Sequence, residues 1–129
     1  MDYDKQLAKK LGADDYGMKK YVIAFLKSGP NRNLSEQKAQ DLQTAHLQNI
    51  VRLADEEKLL IAGPFFGEGD LRGIYIFDVS TIKEAEELTN SDPAINAGSL
   101  IMELKEWYGS AALLQVNQIH KSLSKKSIL

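Results

Sequence analysis

The sequence predicts an α+β fold, a four-stranded antiparallel sheet with helices on one face. Three observations predict it. Four short runs rich in β-branched and aromatic residues alternate with two stretches of helical spacing, in the order strand, helix, strand, strand, helix, strand. The chain has 129 residues, enough for one domain with its own core. Hydrophobic residues make up 43% and charged residues 26%, the balance of a globular chain.

Each element follows from local chemistry. Residues 1–19 read as an arm, in which "YDKQLAKKLG" sets Leu7 and Leu11 four apart before Gly12, a helix stop. "KYVIAFLK" (20–27) is the first strand, and "SGPNRN" (28–33) is a turn-forming loop. From Ser35 to Lys58 the pattern is helical, with Ala39, Leu42, His46, Ile50 and Leu53 on one apolar face. "LLIAGPF" (59–65) is a second strand interrupted by Gly63-Pro64. "FGEGDLRG" (66–73) connects it to a third strand, "GIYIFDV" (73–79). "STIKEAEELTN" (80–90) opens with a capping box, Thr81 with Glu84, and continues as a short helix. "SDPAINAG" (91–98) reads as one helical turn with Asp92 at the N-cap and Pro93 at N1. "LIMELKEWY" (100–108) alternates Leu100, Met102 and Leu104 against Ile101, Glu103 and Lys105, a fourth strand. In the tail, Val116, Ile119 and Leu123 return to helical spacing. A body over 20–110 therefore carries an arm (1–19) and a helical tail (111–129). The order of elements is the ferredoxin-like βαββαβ arrangement.

Composition excludes several function classes. The net charge is −2, and no basic run is long enough for a nucleic-acid footprint. No apolar run reaches the roughly 18 residues of a membrane span, so neither nucleic acid nor membrane is an expected partner. The polar N-terminus lacks the apolar core of a secretory signal. A cytoplasmic location is expected, or a periplasmic one if a leader was removed. The absence of cysteine rules out disulfides, thiolate metal sites and a cysteine nucleophile. No G-x-S-x-G supports a serine nucleophile. "GEGDLRG" has the glycine content of a phosphate loop but lacks G-x-G-x-x-G and joins two strands, so it reads as a hairpin loop. His46 and Asp92 without a third ligand make a poor metal site, and His120 lies in the tail. No metal and no cofactor are expected.

The middle strands are apolar on both sides: Tyr21, Ile23 and Phe25 oppose Val22, Ala24 and Leu26, and Ile74 and Ile76 oppose Tyr75, Phe77 and Val79. Two helices cover one side of such a sheet, so the other needs a cover. A second copy packed face to face, a homodimer, is the simplest. The alternative is that arm and tail fold over that face.

"AHLQNIVRLADEEKLLIAGPF", then "GIYIFDV", "EAEEL" and "DPAINAG", resembles the YciI-like (YCII-related) family of the dimeric α+β barrel superfamily, from about Tyr21 to Tyr108. "LGADDYGMKKY" and "EWYGSAAL" further resemble a bacterial subgroup of it. The resemblance implies a ferredoxin-like dimer and an active-site pair, a histidine on the first long helix and an aspartate before the D-P proline. Here these are His46 and Asp92. Two departures stand out. The family often has arginine three residues before the histidine, where this chain has Gln43, so no anion-binding role is carried over there. It often has glycine before the second strand, where this chain has Glu57.

Each candidate has a plain reading beside the functional one. His46 alone fits a buried histidine bonded to a carbonyl, and Asp92 alone fits an N-cap. Joined, a carboxylate beside an imidazole fixes its tautomer and prepares it for proton transfer. Gly63, Pro64 and Phe65 end a strand, or form a pocket wall with an aromatic side; Phe25 completes the candidate lining. Arg72 meets an anionic group of a substrate or stays exposed. Trp107 and Tyr108 suit an interface or core before a pocket. Two functions stay open. One is an enzyme of lyase, isomerase or hydrolase type using His46 and Asp92 on a small molecule. The other is a small-ligand binding or accessory dimer on the same scaffold. In a purely structural dimer, His46 would be core.

Overall fold

A computed structural model describes residues 2–31 and 33–129. Four strands, β1 (Met18–Ser28), β2 (Leu59–Pro64), β3 (Leu71–Phe77) and β4 (Leu100–Ser110), form one sheet in the order β2-β3-β1-β4. Every neighbouring pair is antiparallel. The longest helix, α2 (Glu36–Asp55), crosses between β1 and β2, and α3 (Ile82–Thr89) and the single turn α4 (Pro93–Asn96) lie between β3 and β4. This is the ferredoxin-like α+β arrangement. An N-terminal helix, α1 (Lys5–Leu11), a 3-10 turn (Ala111–Gln115) and α5 (Val116–Leu123) flank it.

The strands run longer than hydrophobic alternation alone suggests. Met18 pairs with Ser110, which extends β1 and β4 together beyond their apolar runs. Backbone pairing of Leu71 with Lys27 likewise starts β3 before Gly73. Caps set the helix ends. Gly12, at φ 70°, ends α1, and the Thr81 side chain accepts from Glu84 N at the start of α3.

The main core lies between sheet and helices. Val22, Ala24 and Leu26 of β1 and Tyr75 and Phe77 of β3 pack with Leu53 of α2 and Ala85 of α3. The opposite face holds a smaller cluster of Tyr21, Leu60 and Ile76, on which Leu113 and Leu114 of the 3-10 turn pack. The Tyr21 hydroxyl donates to Ser110 O at 2.8 Å and ties that turn to β1. The tail thus covers one end of this face. Phe25 and Ile74, cross-strand partners further along it, lie outside that cluster. On β4 the same face carries Ile101, Glu103, Lys105 and Trp107, so it is polar at that edge.

Among the described residues, no helix is long and apolar enough to cross a membrane.

Candidate functional site

The site begins with the two helices that carry its polar groups. Ser35 caps α2, its side chain accepting from Lys38 N, and the apolar stripe of α2 turns His46 and Leu53 inward. Asp92 caps α4, with Pro93 in its first turn. The two helices pack together over the sheet, α2 also touching β2 and α4 touching β4, and Asp92 has no exposed surface at all.

Asp92 divides its two oxygens. Oδ1 accepts from Ala94 N at 2.9 Å, which is the cap, and Oδ2 lies 2.7 Å from His46 Nδ1. On the other side of the ring, the Tyr75 hydroxyl lies 3.2 Å from His46 Nε2, and the rings stack at 6.2 Å and 20°. Burial, and secondarily the Asp92 charge, pushes the Tyr75 phenol well above the usual tyrosine range. It therefore keeps its proton. The ionised Asp92 carboxylate only accepts, so Nδ1 carries the proton of the neutral imidazole and donates to it, which leaves Nε2 to accept from the Tyr75 hydroxyl. No buried side-chain nitrogen or oxygen among the described residues lacks a partner.

His46 is 9% exposed and Tyr75 3%, and both line a cavity of about 610 Å³ between α2 and the sheet. Asp92 stands behind the imidazole, outside the lining. Leu26, Leu42, Ile50 and Leu100 give the cavity apolar walls, while Gly63, Pro64 and Arg72 close its β2–β3 side. At Gly63 an added Cβ would meet open space, so the packing there does not require glycine. It is required at Gly73, where a Cβ would sit 2.6 Å from Gly63 O.

Two predicted lining residues lie elsewhere. Phe25 faces away from the helices, paired with Ile74 and Glu103, because alternation along β1 places it opposite Leu26. Phe65 falls just beyond β2 and is 48% exposed. Neither lines the cavity. Trp107 sits beside Tyr21 on the far face, and Tyr108 donates to Asp14 Oδ2 of the arm. His120 is exposed on α5. Among the described residues, no group of three or more histidine, cysteine, aspartate or glutamate side chains is placed to hold a metal ion.

Of the lining residues that the sequence reading did not name, two bear on the site's chemistry and closure. Tyr75 was legible only as a strand residue on the face opposite Ile74 and Ile76, and nothing local tied it to His46. Ile128, near the end of the tail, also lines the cavity, and no spacing rule connects it to α2.

The model of the YCII-related domain matches residues 21–108. The chain belongs to the YCII-related family. Among YCII-related relatives, it is 31% identical over 68 residues to the uncharacterized protein YjpA of Bacillus subtilis (strain 168), covering 53% of this chain and 78% of that one. Its fold is similar to a solved structure of the 5-chloro-2-hydroxyhydroquinone dehydrochlorinase TftG from Burkholderia phenoliruptrix AC1100, in complex with 2,5-dihydroxybenzoquinone. That match has a TM-score of 0.50 and 25% sequence identity, and it covers 69% of this chain and 93% of TftG.

Proposed function

We propose that this YCII-related protein is a small-molecule enzyme of lyase type, in which His46 takes a proton from the substrate. The observation that carries this reading is the chain of bonds from Tyr75 through His46 to Asp92 at the edge of the cavity. Asp92 holds the imidazole with Nδ1 protonated, so the lone pair of Nε2 is directed away from it and is basic. As Nε2 takes a proton from a ring hydroxyl of the substrate, the imidazolium is stabilised by the carboxylate 2.7 Å away. In the keto tautomer of such a substrate the electron pair of the broken O–H bond becomes a carbonyl π bond, the adjacent ring π bond shifts, and the leaving group departs from the tetrahedral carbon with its own bonding pair. TftG, named for a dehydrochlorination and solved with a hydroxyquinone, supports elimination from a small ring as the reaction class. A homodimer closed through the sheet faces belongs to the same proposal.

A second reading has its own observation. Nε2 already accepts a hydrogen bond from Tyr75, as it would in a site that recognises a ligand without changing it.

Chloride release from 5-chloro-2-hydroxyhydroquinone separates the two. The wild type is expected to turn over. His46→Gln should lose on the order of 10²–10⁴ in rate with an unchanged circular dichroism spectrum. Equal rates in the two proteins would refute proton transfer by His46. Binding of 2,5-dihydroxybenzoquinone with no turnover would favour the binding protein.

A further inference from the structure

We propose that Arg72 is an anion-binding group, and that the cavity takes a small cyclic molecule carrying an ionised oxygen. This deepens the proposed function and rests on His46 and Arg72 serving one cavity. The carrying observation is a break in the strand register. Leu26 pairs with Gly73 and Lys27 with Leu71, so Arg72 is skipped on the β1 side of β3. Strict alternation would group Arg72 with Ile74 and Ile76, on the face turned away from His46. A bulge re-aims the extra residue, and Arg72 lines the cavity beside Pro64 and Gly73. The backbone fixes the bulge from the other side, Phe65 N donating to Arg72 O at 2.9 Å.

The charge distribution specifies the ligand. Among the described lining residues, Arg72 carries the only permanent charge, and Gln43 adds none. No carboxylate among the described residues forms an ion pair with Arg72, although Glu68 and Asp70 are close in sequence. Among the described residues its guanidinium makes one hydrogen bond, from Nη1 to Gly69 O at 3.4 Å, long for a guanidinium donor. The remaining donors are left for a ligand. With aliphatic walls on one side and a guanidinium on the other, the cavity suits an apolar ring with an acidic enol, phenol or carboxyl oxygen.

Calorimetric titration with 2,5-dihydroxybenzoquinone, an acidic enol ionised at neutral pH, and with its neutral 2,5-dimethoxy ether tests the proposal. The wild type should prefer the ionised ring, and added salt should reduce that preference. Arg72→Gln should weaken binding of the ionised ring by about ten- to a hundredfold, the range of a charge-assisted hydrogen bond. Binding of the ether should change by less than about threefold, and Arg72→Lys should recover much of the loss. The proposal is overturned if Arg72→Gln binds the ionised ring as the wild type does, if both ligands weaken alike, or if the wild type shows no preference. His46→Gln keeps the two readings apart. Loss of turnover with the anion preference intact supports both. Unchanged turnover beside an affinity loss in Arg72→Gln would remove proton transfer by His46 and leave the anion site standing.

Discussion

Asp92 is bonded through both oxygens, and its replacement by asparagine separates its two roles. In Asp92→Asn the amide oxygen still accepts from Ala94 N, so the α4 cap remains. The amide NH₂ then faces His46, and Nδ1 must accept rather than donate. The ring proton moves to Nε2, where the Tyr75 oxygen can accept it. Every bond survives in reversed sense, and stability should fall by about 1 kcal/mol or less. A protonated Nε2 takes no further proton, so turnover should fall by on the order of 10²–10⁴. Nitrogen NMR of the His46 ring would report the tautomer. A variant with normal turnover and reversed tautomer would contradict the assigned base. Tyr75→Phe tests the opposite side. If Tyr75 only sets the tautomer, activity should drop by about tenfold or less, whereas a loss equal to that of His46→Gln would make its hydroxyl a proton carrier. At this scale the sequence was read unevenly. Asp92 as an N-cap followed from Asp before Pro, but its nearness to His46, 46 positions away, came from family resemblance alone. Tyr75 was hidden because period-two alternation gives a face and not a neighbour. Arg72 was legible as a candidate for an anionic group, but the bulge that sets its face was not, and Phe25 was misplaced because its side of the strand is set by pairing.

Among the elements, the end of α2 shows where this chain strains against its own fold. Lys58 N bonds Leu53 O and Glu57 N bonds Ala54 O, both at 3.0 Å, the double closure of a Schellman end. The residue between cap and strand must then be left-handed, and Glu57 sits there at φ 61°. Gly12 fills the equivalent place after α1 without that penalty. A side chain in this region costs about 1–2 kcal/mol, partly offset by the freedom glycine adds to the unfolded chain. Glu57→Gly should raise stability by roughly 0.5–1 kcal/mol in urea unfolding, with an unchanged slope. A loss of stability would mean that the glutamate makes a compensating contact. The resemblance marked this position as one where glycine is common, and only the backbone angle gives the reason. The tail is a different case. Its helix was legible from Val116, Ile119 and Leu123, and Asn117 fixes it to the body by donating to Leu59 O at 2.8 Å. The approach of Ile128 to the cavity was not legible, because residues 124–129 have no regular structure to carry a pattern. Deleting 124–129 should leave the fold intact and alter ligand affinity at the cavity, read by the same calorimetry.

For the whole molecule, the order of elements specified the topology, because short antiparallel connections and right-handed crossovers leave a βαββαβ chain few alternatives. The energetics of the sheet are less evenly distributed. Burial, with the Asp78 charge second, pushes the Tyr21 phenol up to about 12. A raised value means that the folded chain holds this proton more tightly than the unfolded one. Its contribution is full below about pH 10 and is lost as pH rises toward 12. Tyr75 acts in the same direction, so unfolding midpoints should fall steeply above pH 10 in wild type and less so in Tyr21→Phe.

That same face, where Tyr21 lies under the 3-10 turn, bears on assembly. Leu113 and Leu114 shield one end, and beyond them Phe25 and Ile74 form an apolar strip across β1 and β3, with the exposed Ile101 beside Lys27 on β4. Lys27 and Glu103, paired at 2.5 Å, and Lys105 border it, the arrangement that the proposed interface between copies would use as its charged rim. Sedimentation at micromolar concentration is expected to give twice the 14.4 kDa chain mass. Ile74→Lys places an unpaired cation in the centre of the strip, where desolvation opposes burial, and should yield a monomer with unchanged far-ultraviolet circular dichroism. Lys105→Gln, at the rim, should shift the dissociation constant by no more than about fivefold. A wild type that sediments as a single chain would leave the face to the tail alone. A dimer that survives Ile74→Lys would move the contact to another surface.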